Sequence, residues 1–153
     1  MIQYKVGSVF SAPKKSMLCH AIYPTGDWDT GVAAKFKINF PTAHTAYQEH
    51  CRITKGELVG TSYLYYDYDY LIVGLFVSED YVEGMYPSAL ILENTYKALD
   101  HFTRENGEGN TLHMPKINSG GFYIPWKQTE AVLKKFNQTY IIYIKNTDDL
   151  GIR

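Results

Sequence analysis

Two glycine-bearing stretches of this 153-residue sequence have the residue types and the placement to hold an anion. One is "PTGDWDTGVA", ending on Gly31-Val32-Ala33; the other is "INSGGFYI", with Gly120 and Gly121 side by side. Each stands between a strand-like apolar run and a helix-like amphipathic one. Glycine lets the backbone approach an oxyanion that a Cβ would hold off, and the first N–H groups of a helix lack intrahelical partners. A pair of such loops can clamp a diphosphate. Neither stretch has the Gly-Lys-Ser/Thr ending of a phosphate loop or the Gly-x-Gly-x-x-Gly spacing of a dinucleotide fold. Spacing alone therefore leaves two readings, a clamp or two tight turns.

The loops need elements to position them. "IQYKVGSVF" reads as a first strand ending at Gly7-Ser8, and "KSMLCHAIY" as a second. In "GVAAKFKINF" the residues Val32, Phe36 and Phe40 share one helical face, and Pro41 stops that helix and starts another over "PTAHTAYQEHC". "GTSYLYYD" and "YLIVGLFVSE" read as strands joined in a hairpin with Asp67 and Asp69 at its tip, the second strand apolar enough for burial on both faces. "PSALILENTYKALDHFTREN" reads as a helix with Leu92, Tyr96, Leu99 and Phe102 inward. A strand "TLHMP", a helix "PWKQTEAVLKKF" and a strand "TYIIYI" complete the chain. The alternation predicts a three-layer α/β/α domain around a mixed central sheet, one unit over 1–153 with a core of about 3–145 and a frayed polar tail over 146–153. In such sheets ligands bind beyond the carboxyl ends of the strands. Four loops take that position: "VGSVF", "HAIYPTGDWDTGVA", "VSEDYVEGMYP" and "INSGGFYI".

Bulk properties exclude several classes. Fifteen Lys and Arg against sixteen Asp and Glu, without a basic stripe, argue against a nucleic-acid partner. No apolar run approaches the roughly 18 residues of a membrane span, which predicts a soluble, cytoplasmic protein. Cys19 and Cys51 form no paired motif, and His44, His50, His101 and His113 have no metal-like spacing, so no metal or cofactor is expected. Five of the fourteen tyrosines crowd "YLYYDYDY", as a half-buried hairpin or as a binding edge. With one chain, a monomer is the default.

The order "VGSVF", "HAIYPTGDWDTGVAAKFKINFP", a buried strand and "MPKINSGGFYIPW" resembles the macro domain family, whose members bind ADP-ribose, over residues 3–145. Within that family, "MPKINSG" followed by "PW", with the spacing of Gly26, Trp28 and Gly31, is most similar to the small fungal and phage-type ADP-ribose 1″-phosphate phosphatases. The resemblance implies that Gly7, Ser8 and Val9 sit at the adenine, with Ser8 replacing the family's usual carboxylate. It implies that Gly31, Val32 and Ala33 give N–H groups to the diphosphate, that Ser119, Gly120, Gly121 and Phe122 close over it, and that Phe122 or Tyr123 flanks the ribose. Trp28 is counted among the substrate-binding residues. Two departures matter: Tyr23, Pro24 and Thr25 stand where many members have asparagines, and Phe122 stands where the ADP-ribosyl-glutamate hydrolases have their aspartate.

By the same resemblance, His20, Asp27 and Asp29 remain near the distal ribose. Hydrolysis there needs a positioned water and a group to take its proton. His20 is the candidate base, because an imidazole accepts a proton near neutral pH, and Asp27 is the second candidate. The plain alternatives are a core histidine at a strand end and solvated loop carboxylates. Lys116 reads as a surface lysine, with a phosphate as the alternative partner. The expected function is hydrolysis of ADP-ribose 1″-phosphate, or of a related ADP-ribosyl adduct including one on protein. A non-catalytic ADP-ribose reader and a protein-binding tyrosine edge are the alternatives.

Overall fold

A computed structural model describes residues 1–29, 31–80 and 87–146. Its sheet has six strands: β1 (Ile2–Val6), β2 (Met17–Ile22), β3 (Ser62–Asp67), β4 (Tyr70–Phe76), β5 (Thr111–Pro115) and β6 (Thr139–Ile144). Four helices accompany them: α1 (Gly31–Asn39), α2 (Pro41–Ile53), α3 (Ser88–Asn106) and α4 (Trp126–Leu133). The strand order is β1-β6-β5-β2-β4-β3, all parallel except the β3–β4 hairpin. The expected mixed sheet and layer order hold. The carboxyl ends of β1, β6, β5, β2 and β4 consequently share one edge, where the candidate loops emerge.

Alternation along the strands divides the core in two. Leu18, Ile22, Ile72 and Phe76 face Trp28, Phe36, Phe40, Ala43 and Tyr47 of the α1/α2 layer. Cys19, Val73, Leu75, Leu112 and Met114 face Ile91, Ala98, Leu99, Phe102, Trp126 and Leu133 of the α3/α4 layer. β4 is buried from Ile72 onward, as its apolar run requires. Pro41 ends α1 as expected, because it cannot donate an N–H to continue the ladder.

Two local expectations change, and one loop gains detail. β1 ends at Val6, just before the expected Gly7-Ser8, and the loop beyond it adds a short 3-10 turn at Val9–Ser11, with the Ser8 side chain accepting from the Phe10 N–H at 3.1 Å. Asp67 is not at the hairpin tip: it is buried, and its Oδ2 accepts from the Ala43 N–H at 2.9 Å in the first turn of α2. A carboxylate there satisfies an orphan donor and complements the helix dipole. The turn is Tyr68-Asp69, both exposed. The inward face of α3 is Ile91, Asn94, Thr95, Ala98, Leu99 and Phe102, while Tyr96 is exposed. Two polar residues on that stripe hide it from a purely apolar pattern. Position 30, most of the loop after β4 (81–86) and nearly all of the expected tail (147–153) lie outside the described residues.

Candidate active site

The β2–α1 loop and the β5–α4 loop meet over one cleft of about 180 Å³. Ala21 and Tyr23 line it from the end of β2, Gly31, Val32 and Ala33 from the first turn of α1, and Pro115 to Asn118 with Gly120 to Phe122 from the end of β5. Gly31 has φ +55°, a backbone that L side chains rarely adopt, which explains glycine at the helix start. Among the described residues, no acidic residue stands in the first turn of α1, where a helix start favours negative charge.

Each loop is held from behind. The Tyr47 hydroxyl donates to the Tyr23 carbonyl and accepts from the Gly26 N–H at 3.0 Å, tying the first loop to α2. Gln48 donates to the Gly26 carbonyl at 3.1 Å. On the other side, Asn118 has φ +67° and buries its side chain. Its Nδ2 donates to Thr95 Oγ1 of α3 at 3.1 Å and lies 3.5 Å from Thr129 Oγ1 of α4. The Ser119 hydroxyl donates to the Ile124 carbonyl at 2.9 Å. Trp126 Nε1 donates to the Tyr4 hydroxyl at 2.8 Å, anchoring α4 to β1, and Tyr4 in turn donates to Glu130. Burial first, then the Glu130 bond, pushes the Tyr4 phenol up to about 12.

The structure brings six expected residues to the cleft wall: Gly31, Val32, Ala33, Gly120, Gly121 and Phe122. Others stand elsewhere. His20 is fully buried, its ring stacked on Phe36 at 4.0 Å and edge-on to Trp28 at 4.6 Å. Burial pushes its imidazole down to about 3, so it is neutral, and it does not line the cleft. This corrects the assignment of His20 as a base, since a group sealed in an aromatic layer cannot take a proton from water in the cleft. It stands within β2, on the strand face turned to the α1/α2 layer.

Trp28 is likewise buried, within 5.0–5.1 Å of the Tyr47 and His44 rings, and is corrected from a substrate contact to the anchor of its loop. Asp27 and Asp29 are exposed and outside the cleft wall; both act electrostatically on His44, and Asp29 pairs with Lys37 at 3.5 Å. Gly7, Ser8 and Val9 lie along the same sheet edge but do not line this cleft, and Val9 is a core residue. Ser119 and Tyr123 also fall outside the lining, Tyr123 exposed on the surface. Among the described residues, no three His, Cys, Asp or Glu come together as a metal site would require.

Sequence reasoning missed Ala21, Pro115, Ile117 and Asn118, and took Lys116, which is half-buried in the cleft wall, for a surface residue. Thr95 and Thr129 on the inner faces of their helices were the available signal for Asn118, because a buried hydroxyl implies a polar partner.

No family model matches the chain. An ADP-ribose 1″-phosphate phosphatase of Meyerozyma guilliermondii is 31% identical, over 94% of this chain and 98% of the relative. One of Lodderomyces elongisporus is 34% identical, over 89% and 92%. Among solved structures, the macrodomain of Mycobacterium tuberculosis DarG matches with a TM-score of 0.73 at 20% identity, over 94% of this chain and 97% of that one. Thermosipho africanus DarTG, solved in complex with ADP-ribose, matches with a TM-score of 0.70 at 17% identity, over 92% of this chain and 41% of that one. These structural likenesses establish the fold. With relatives above 30% identity along nearly its whole length, the chain belongs to the macrodomain family, within the ADP-ribose 1″-phosphate phosphatases.

Proposed function

We propose that this protein hydrolyses ADP-ribose 1″-phosphate to ADP-ribose and phosphate. The observation that carries the reading is the convergence of the α1 N-terminus and the Gly120–Phe122 loop on one cleft at the carboxyl edge of the sheet. The N–H groups of Gly31, Val32 and Ala33, in the first turn of a helix, are suited to the diphosphate oxygens. Tyr23 and Phe122, edge to face at 6.0 Å, offer apolar walls for a sugar ring.

Without His20 or Asp27 in the cleft wall, no imidazole or carboxylate remains among its described lining residues. Phosphoryl transfer tolerates this better than most hydrolyses. Its transition state is loose, little bonding to water has formed, and catalysis comes mostly from positioning and from stabilising charge on the transferred group. An N–H-lined cleft can contribute both. The same cleft would accept a related adduct at the 1″ position, including ADP-ribose on a protein.

The missing conventional base also supports a second reading, a module that binds ADP-ribose without cleaving it. Purified protein incubated with ADP-ribose 1″-phosphate decides between them. Release of inorganic phosphate, inhibited by added ADP-ribose, is the expected result. Saturable ADP-ribose binding without phosphate release leaves the reader.

A further inference from the structure

β3 is an outermost strand of the sheet, paired only with β4. The Phe76 N–H donates to the Thr61 carbonyl at 2.9 Å, so the next residue, Ser62, turns its own N–H away from β4 and toward the open edge. An unpaired edge N–H is a liability, because a foreign strand can pair with it. This one is occupied from α3: it donates to His101 Nδ1 at 3.0 Å, and the Ser62 hydroxyl lies 2.8 Å from the same nitrogen.

A backbone N–H can only donate, so Nδ1 must accept, and the neutral ring then carries its proton on Nε2. Nε2 lies 3.7 Å from Glu105 Oε1, one turn further along α3. The two ring nitrogens therefore favour different states. Ser62 requires a neutral ring, whereas the Glu105 carboxylate favours a charged one. Neighbouring charges are engaged elsewhere: Lys97 pairs with Glu93 at 3.6 Å, Arg104 with Asp100 at 2.9 Å, and Glu57, in the loop before β3, accepts from the Val59 N–H at 3.1 Å. β3 and β4 carry one charged side chain, Asp67, bound to the Ala43 N–H, and Tyr63 stacks on His50 at 3.9 Å. With the His101 side chain 26% exposed, solvent protons reach the ring, and an imidazole ordinarily takes one near pH 6.5.

We propose that His101 is a pH-sensitive latch on the edge of the sheet: neutral, it holds the amino end of β3 against α3, and protonated, it releases the Ser62 N–H. A proton on Nδ1 would face another N–H, which has no lone pair to receive it. The imidazolium keeps Glu105 as its partner, while the first edge amide of β3 opens to water. The latch is thus complete above the ordinary imidazole range and weakens as the pH falls through it.

Amide hydrogen exchange by NMR from about pH 5 to about pH 7.5 tests it, with the Ser62 amide read relative to core amides of β4 and the His101 ring shifts followed alongside. The expected result is constant Ser62 protection above about pH 6.5 and a loss of up to about tenfold per pH unit below it, in step with the ring. His101→Gln, whose amide oxygen can accept from Ser62 at any pH, should abolish that dependence. Glu105→Gln should move the release to lower pH, since it removes the group that favours the charged ring. Equal Ser62 protection across the range, whether or not the ring titrates, overturns the latch. The same acid loss in His101→Gln does so too, because another group would then be responsible. Should His101→Gln fail to fold, Glu105→Gln carries the comparison, and an unchanged release pH overturns the proposal.

Discussion

The two loops that form the cleft are held by different physics. Behind the β2–α1 loop, Trp28 sits in a layer of rings with His20, Phe36, His44, Tyr47 and Tyr65, and several of their polar atoms have no hydrogen-bond partner among the described residues, including both His20 nitrogens and Trp28 Nε1. Behind the β5–α4 loop, directional hydrogen bonds from Asn118, Ser119 and Trp126 fix the chain. Buried area is non-directional, so the first anchor depends on volume and tolerates changes of chemistry. Hydrogen bonds demand donors and acceptors in place, so the second depends on chemistry even when shape is kept.

The largest effect should come from Trp28→Ala, which empties the ring layer at an expected cost of about 3–5 kcal/mol. Trp28→Phe should lose clearly less, and urea denaturation of both checks it; equal losses would mean the loop depends on the indole N–H and not on volume.

The next effect is a pH dependence. The folded pKa of His20, about 3, lies below the ordinary value of 6.5, so between these values the unfolded chain binds a proton that the folded one refuses. Stability from this group is complete above pH 6.5 and falls by about 1.4 kcal/mol per unit as the pH drops toward 3. His20→Phe should flatten that slope and keep phosphate release at neutral pH. Loss of catalysis in a stable His20→Phe protein would restore the histidine to the mechanism.

Asn118→Asp tests the other side with an isosteric change. Thr95 Oγ1 already gives its proton to the Ile91 carbonyl at 2.7 Å, so it must accept from residue 118, and a carboxylate there has nothing to donate. The expected loss is about 1–3 kcal/mol, read as a lower melting temperature. A stability equal to wild type would show that shape alone suffices on this side too.

Gly31→Ala should have the smallest effect on stability, about 1 kcal/mol from the left-handed backbone. The added Cβ meets nothing within 4 Å, so any rise in KM beyond the stability loss reports a ligand in that space. An unchanged KM would move the phosphates away from α1.

Much of the fold was legible because periodicity is a local property. "TLHMP" and "TYIIYI" are β5 and β6 to the residue, and Gly31 and Pro41 bracket α1 as read. The first glycine loop was legible for the same reason, since the left-handed backbone at Gly26 and Gly31 favours glycine, whereas in the second loop the left-handed positions are Asn118 and Tyr123. Side-chain roles were not. His20 and Trp28 look like site residues in a linear string, but strand alternation turns His20 into the α1/α2 layer and the loop folds Trp28 beneath itself. Asp67 looks like a turn residue until α2 is placed against it.

The sequence by itself determined the elements, their order and the two glycine loops that line the cleft, because each depends on residues a few positions apart. Only the tertiary structure decided which side chains share the cleft. Lys116 and Gly31 are 85 positions apart in the chain and line one cavity, and Asn118 meets Thr95 across 23 residues. Those neighbours exist because β5 pairs with β2 while their connections pass over opposite faces of the sheet, a choice made by the whole core and by no single segment.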